Sequence, residues 1–154
     1  MCDRGGAQYS GDFDEKSPGV GQEDSLNKTR EALRVMRTAV EIGEWERGMT
    51  HESLIPYLRE ESEEFAEAVR AHANNPSAQA EQQLKAELSD VLLQVLFHAE
   101  LARRRGAFDF EDVAEAFVDK LRSRAPYLFD GTTRVVPIAE QERLWQEGKA
   151  REKS

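Results

Sequence analysis

Between Glu87 and His98, Leu88, Val91, Leu92, Leu93, Val95, Leu96 and Phe97 leave almost no side of a helix free of apolar side chains. Through that surround Glu87, Asp90, Gln94 and His98 cut one polar stripe, at spacings of three, four and four. A helix apolar on most sides packs among other elements, and a carboxylate that goes in with it must be paired, protonated or bound to a cation, because burying it bare costs on the order of several kcal/mol. The longest apolar stretch, 91–97, is broken by Gln94 and falls far short of the roughly 18 residues a membrane helix needs. No membrane partner is expected.

The remaining sequence is also helical in its periods. Leu26, Leu33, Met36 and Val40 recur at helical spacing, and Gly43 with Gly48 brackets a break around Trp45. A second helix is predicted over 53–72, with Pro56 in its first turn and Asn74-Asn75-Pro76-Ser77 as its stop. A third covers 78–105, where Gly106 can take the left-handed cap. Arg103, Arg104 and Arg105 favour the negative end of that helix's dipole, and capping or solvation outweighs phosphate binding as their role. Asp109 and Asp112 form an N-terminal capping pair for a fourth helix, which Pro126 ends, and a short last helix covers 139–149. No segment alternates with strand periodicity, so the expected fold is an all-α bundle of four to five helices.

The chain of 154 residues is of single-domain length, and the expected domain is 26–150. Residues 1–25 hold five of the ten glycines and six acids against two bases, and are expected to form a disordered acidic tail. A disordered terminus is expected over 151–154. The net charge of -9, from 30 acidic and 21 basic residues, argues against nucleic acid as a partner, since duplex binding relies on many phosphate-neutralising bases. The single Cys2 and the lack of a basic start followed by an apolar run make a reducing cytoplasm the default expectation.

On the second helix, stepping roughly 100° per residue places Leu54, Leu58, Phe65 and Val69 on one arc, the predicted buried face. Glu60, Glu63 and Glu67 lie away from it and read as a solvated acidic face. Glu61 falls inside the arc, between Ala68 and Leu54, with Glu64 at its border. Two acidic stripes on neighbouring helices repel each other unless positive charge sits between them. An internal arginine could supply it, and a divalent metal is the simpler candidate. All-oxygen donors suit Mg²⁺, with Mn²⁺ as a substitute, whereas zinc favours Cys and His, of which only Cys2, His51, His72 and His98 exist. None of these histidines follows a Glu by three residues, against a di-iron bundle. Mg²⁺ on carboxylates commonly holds substrate phosphates, so the cluster reads as a site for a metal-chelated polyphosphate. There is no P-loop motif.

These residues resemble a known family. Glu60-Glu61-Ser62-Glu63-Glu64 followed by Glu87-Leu88-Ser89-Asp90 is similar to the paired motifs of the all-α nucleoside triphosphate pyrophosphohydrolases. Thr50-His51-Glu52-Ser53-Leu54, the run from Leu92 to Ala99, Gly106 with Phe108-Asp109, Lys120-Leu121 and Pro126 to Phe129 narrow the resemblance to the MazG branch. It covers about residues 45–131 with a trailing Trp145 and Lys149. The chain departs from the family pattern at Gly43-Glu44-Trp45-Glu46 and Met49-Thr50-His51, which bears on base or sugar preference.

The resemblance implies Mg²⁺-dependent hydrolysis of ribo- or deoxynucleoside triphosphates to the monophosphate and pyrophosphate, in the service of nucleotide-pool cleansing. Glu61, Glu64, Glu87 and Asp90 match the metal ligands. Glu60, with Glu61, is assigned to catalysis, through a second metal or the orientation of the attacking water. Lys120 and Arg124, one helical turn apart, are candidate phosphate contacts, and Trp145 and Lys149 complete the candidate substrate contacts. A homodimer or homotetramer is expected. The alternatives are a phosphoribosyl-ATP or dUTP specialist, or a non-catalytic interaction module whose carboxylates pair with arginines.

Overall fold

A computed structural model describes residues 20–154, with side chains from residue 27. Its elements are α1 (Val20–Ile42), the four-residue α2 (Glu44–Arg47), α3 (His51–Asn74), α4 (Ala78–Arg104), α5 (Phe110–Arg124), a 3-10 turn (Pro126–Leu128) and α6 (Ile138–Glu152). The described residues contain no strand, so the all-α expectation holds. None of their helices is long and apolar enough to cross a membrane.

The helix ends follow from local chemistry. Thr50 caps α3 through a reciprocal box with Ser53, which starts the helix at His51, two residues before the predicted start, and leaves Pro56 beyond the first turn. Asp109 and Asp112 form the expected box at the start of α5. Gly106, at φ +75°, closes α4 in the left-handed conformation that glycine adopts without strain. The expected tail over 1–25 lies outside the described residues as far as residue 19, but from Val20 the backbone is already helical. Past Gly21 the sequence contains neither Gly nor Pro until Gly43, so nothing local stops the helix from starting early. The expected disordered terminus is also corrected: α6 runs through Glu152, because Arg151 donates to the Ser123 carbonyl and Glu152 pairs with Arg124.

α3 and α4 form a hairpin across the short connection 75–77 and share the most extensive helix contact. The pairs His51–His98 and Glu61–Glu87 run in opposite order along the two helices, which sets them antiparallel. α1 lies along α4, and Met36, Val40, Leu54, Leu96 and Phe97 make the buried core, with Leu33, Met49, Leu101 and Phe110 packed around it. α5 packs on α4 and carries α6.

Two burial expectations are corrected. On α3 the buried residues are Leu54 and Ala68, while Leu58 and Val69 are exposed. Leu54, Glu61 and Ala68 are seven residues apart, so a single line of side chains with Glu61 at its centre faces α4. On α4, Leu88, Leu92, Leu93 and Val95 are between 39% and 53% exposed instead of buried, because within one chain α1 and α3 cover only part of the helix.

Candidate functional site

The α3–α4 hairpin brings one ligand atom each of Glu61, Glu87 and Asp90 within 4.8 Å of one another. Glu61 arrives from the Leu54–Glu61–Ala68 line of α3, and Glu87 and Asp90 from adjacent turns of α4. All three are half-buried. Glu60 and Glu64 are exposed at the rim, close enough to act electrostatically on Glu61.

The cluster contains no base. Burial raises the Glu61 carboxyl above its ordinary value, and Asp90, Glu64, Glu60 and Glu87 raise it further. Partial desolvation and then Glu87 raise Glu64 in the same way. Among the described residues Glu61 Oε2 and Glu87 Oε2 are buried with no hydrogen-bond partner, and Gln83 Nε2 donates to Glu87 Oε1 at 2.6 Å. Two arginines of these helices pair away from the cluster. Arg103 forks onto the buried Glu100 at 2.8 and 2.9 Å, and Arg70 pairs with Glu63 on the exposed face of α3. Convergent, half-buried carboxylates from two facing helices, none paired with a base among the described residues, suit a divalent cation bound through oxygen. The residues therefore fit such an ion.

Residues 49–129 match the family described as the MazG nucleotide pyrophosphohydrolase domain. The chain belongs to the MazG family. It is 43% identical over 110 residues to the nucleoside triphosphate pyrophosphohydrolase/pyrophosphatase MazG of Thermotoga maritima, covering 71% of this chain and 38% of that one. To the nucleoside triphosphate pyrophosphohydrolase of Mycolicibacterium smegmatis it is 42% identical over 125 residues, 80% of this chain and 36% of that one. It thus spans well under half the length of these relatives. A crystal structure of a mazG-related protein from Thermotoga maritima superposes with a TM-score of 0.65 at 27% identity, covering 79% of this chain and 98% of that chain.

The MazG match takes in every carboxylate of the cluster and Lys120 and Arg124, but stops before α6. None of Lys120, Arg124, Trp145 and Lys149 bonds to the cluster. Arg124 is an ion-pair partner of Glu152 at 2.7 Å, and its guanidinium lies 5.1 Å over the Trp145 ring. Gly148 allows this packing: a Cβ there would meet the Ser123 carbonyl at 2.8 Å. Lys120 is exposed and Lys149 half-buried, and neither side chain is hydrogen-bonded among the described residues.

Reading the sequence missed one arrangement at the other end of the hairpin. His51 Nδ1 meets His98 Nδ1 at 2.7 Å, and the Arg105 guanidinium donates to His51 Nε2. Since His51 and His98 both stand about two dozen residues or fewer from the connection at 75–77, the antiparallel register itself was the available signal.

Proposed function

We propose that this MazG-family chain hydrolyses nucleoside triphosphates, ribo or deoxy, to the monophosphate and pyrophosphate with Mg²⁺ at the Glu61–Glu87–Asp90 cluster. One observation carries the reading: three convergent carboxylates without a basic partner among the described residues, two of them with a buried, unpaired oxygen. A module held together by internal arginine pairs needs the bases this seam lacks. When bound, the divalent ion neutralises phosphate charge and stabilises the negative charge that develops on the departing pyrophosphate.

The chain's own groups divide the remaining work. Glu61, Glu87 and Asp90 hold the cation, and Glu64, at the rim, completes its ligand set. Glu60 accepts a hydrogen bond from the attacking water and orients it; the water oxygen forms the new phosphorus–oxygen bond as the α,β-anhydride breaks. Lys120 and Lys149, free of hydrogen bonds, are proposed phosphate contacts. Arg124 and Trp145 are proposed to hold α6 on α5. Mn²⁺ is expected to substitute for Mg²⁺.

The exposed apolar face of α4 supports assembly into a homodimer or homotetramer. Leu92 and Leu93 there border an apolar cleft of about 330 Å³ that α1 continues through Val35 and Ala39. Exposed apolar surface of this kind marks an interaction site.

The deciding experiment is a panel of ribo- and deoxynucleoside triphosphates with Mg²⁺, scored for pyrophosphate against orthophosphate. Pyrophosphate is expected as the inorganic product. Orthophosphate as the main product overturns the proposal.

A further inference from the structure

Among the described residues three buried side-chain oxygens lack a hydrogen-bond partner: Glu61 Oε2, Glu87 Oε2 and Gln94 Oε1. All three lie on the α3–α4 seam. The first two belong to the carboxylate cluster, but the third does not, and Gln94 is only 5% exposed. Its position on α4 is one turn beyond Asp90 and two turns beyond Glu87, on the face those residues share. A buried amide carbonyl with no partner is a cost to the fold, and Leu or Met would fill the same space without it. His98, one turn further on, does not relieve it, since no hydrogen bond reaches the Gln94 Oε1.

We propose that Gln94 is a positioning residue of the cation site, its carbonyl oxygen accepting a hydrogen bond from the water shell of a divalent cation held by Glu61, Glu87 and Asp90. The inference rests on the cation reading of that cluster. Mg²⁺ keeps several of its waters when it binds carboxylates, so its shell reaches beyond the direct ligands. Residues one turn apart on a helix face stand about 5–6 Å apart at Cβ, a gap that one water bridges. The amide thus fixes the orientation of a water that Asp90 alone leaves free to turn.

The test is a Mg²⁺ titration without nucleotide, followed by thermal unfolding of the full chain, for the wild type, Gln94→Leu and Gln94→Met. Loss of a partner in the outer shell of a metal typically weakens binding about 10- to 100-fold, so the half-saturating Mg²⁺ concentration is expected to rise by at least about tenfold in both variants. The metal-free melting temperature is expected to stay level or rise, since an unpaired buried oxygen is removed. Variants that titrate like the wild type overturn the inference, as does a metal-free variant that melts lower while its Mg²⁺ response is unchanged. Failure of both variants to fold would make the amide a structural requirement and overturn it too. A wild-type protein indifferent to Mg²⁺ is a different failure: it overturns the cation reading, and the inference with it.

Discussion

The imidazoles of His51 and His98 meet edge to edge, with centroids 5.0 Å apart and planes 6° from parallel. Between their Nδ1 atoms there is room for one proton. Because the Arg105 guanidinium donates to His51 Nε2, that nitrogen keeps its lone pair, so His51 is the neutral tautomer that donates through Nδ1 and His98 accepts. A further proton on this pair would set a second cationic group beside Arg105 at the N-terminus of α3, where positive charge is unfavourable.

That arrangement sets a pH dependence. Burial, and then His51, hold His98 below its ordinary 6.5. A histidine whose folded value is depressed contributes stability above the unfolded value, and that stability is lost as pH falls from there through the folded value. Metal-free protein should therefore lose stability on acidification below about pH 6.5. His98→Gln, which retains an acceptor but does not titrate, should remove this component. Urea unfolding at a series of pH values checks it, and an identical slope in both proteins would dispose of the idea.

The carboxylate cluster works in the opposite sense. Glu61 and Glu64 are both raised above 4.5, so their contribution is present below that value and is lost as pH rises through the raised ones. Glu61→Gln should hold or raise metal-free stability at neutral pH, abolish the Mg²⁺-induced rise in melting temperature and cut turnover by at least about a hundredfold, since cation stabilisation is worth several kcal/mol. Glu67→Gln, exposed on the same helix, should change stability by no more than about 0.5 kcal/mol. Loss of metal-free stability in Glu61→Gln with turnover intact would make Glu61 half of a buried pair.

For the α5–α6 contact the informative change is Gly148→Ala. The added Cβ meets the Ser123 carbonyl and the Arg124 Cα at 2.8 and 2.9 Å, backbone that cannot rotate away. Overpacking of this kind costs roughly 1–3 kcal/mol. Faster hydrogen exchange across α6, with α3 and α4 unaffected, is the expected readout.

Assembly is checked by sedimentation. The wild type should sediment as a multiple of the chain, and Leu92→Glu, which places a charge at the centre of the exposed α4 face, should shift it toward the single chain. A wild type that is monomeric at every concentration would refute the proposed assembly.

Much of the site was legible in the sequence because helical spacing fixes which side chains share a face. Glu61 between Ala68 and Leu54, and the stripe through Glu87, Asp90 and Gln94, required only the period. The burial of Leu58 and Val69 was misjudged because hydrophobicity records a wish to leave water without saying which surface receives it. The pairing of Arg124 was not legible for another reason. Its partner Glu152 lies 28 residues away across a loop, and spacing along one helix carries no information about a contact of that kind.

The cluster has one more consequence, which is mechanical. Its carboxylates are mounted on two rods, α3 and α4, hinged at residues 75–77 and bolted together further along by Leu54 and Phe97. Like charges between the rods act as a wedge, and a cation there acts as a clamp. Ion affinity is then partly a measure of how stiffly the bolt holds. Softening it, for instance with Leu54→Ala, would let the wedge open and loosen the grip on the ion from two turns away, without touching a ligand.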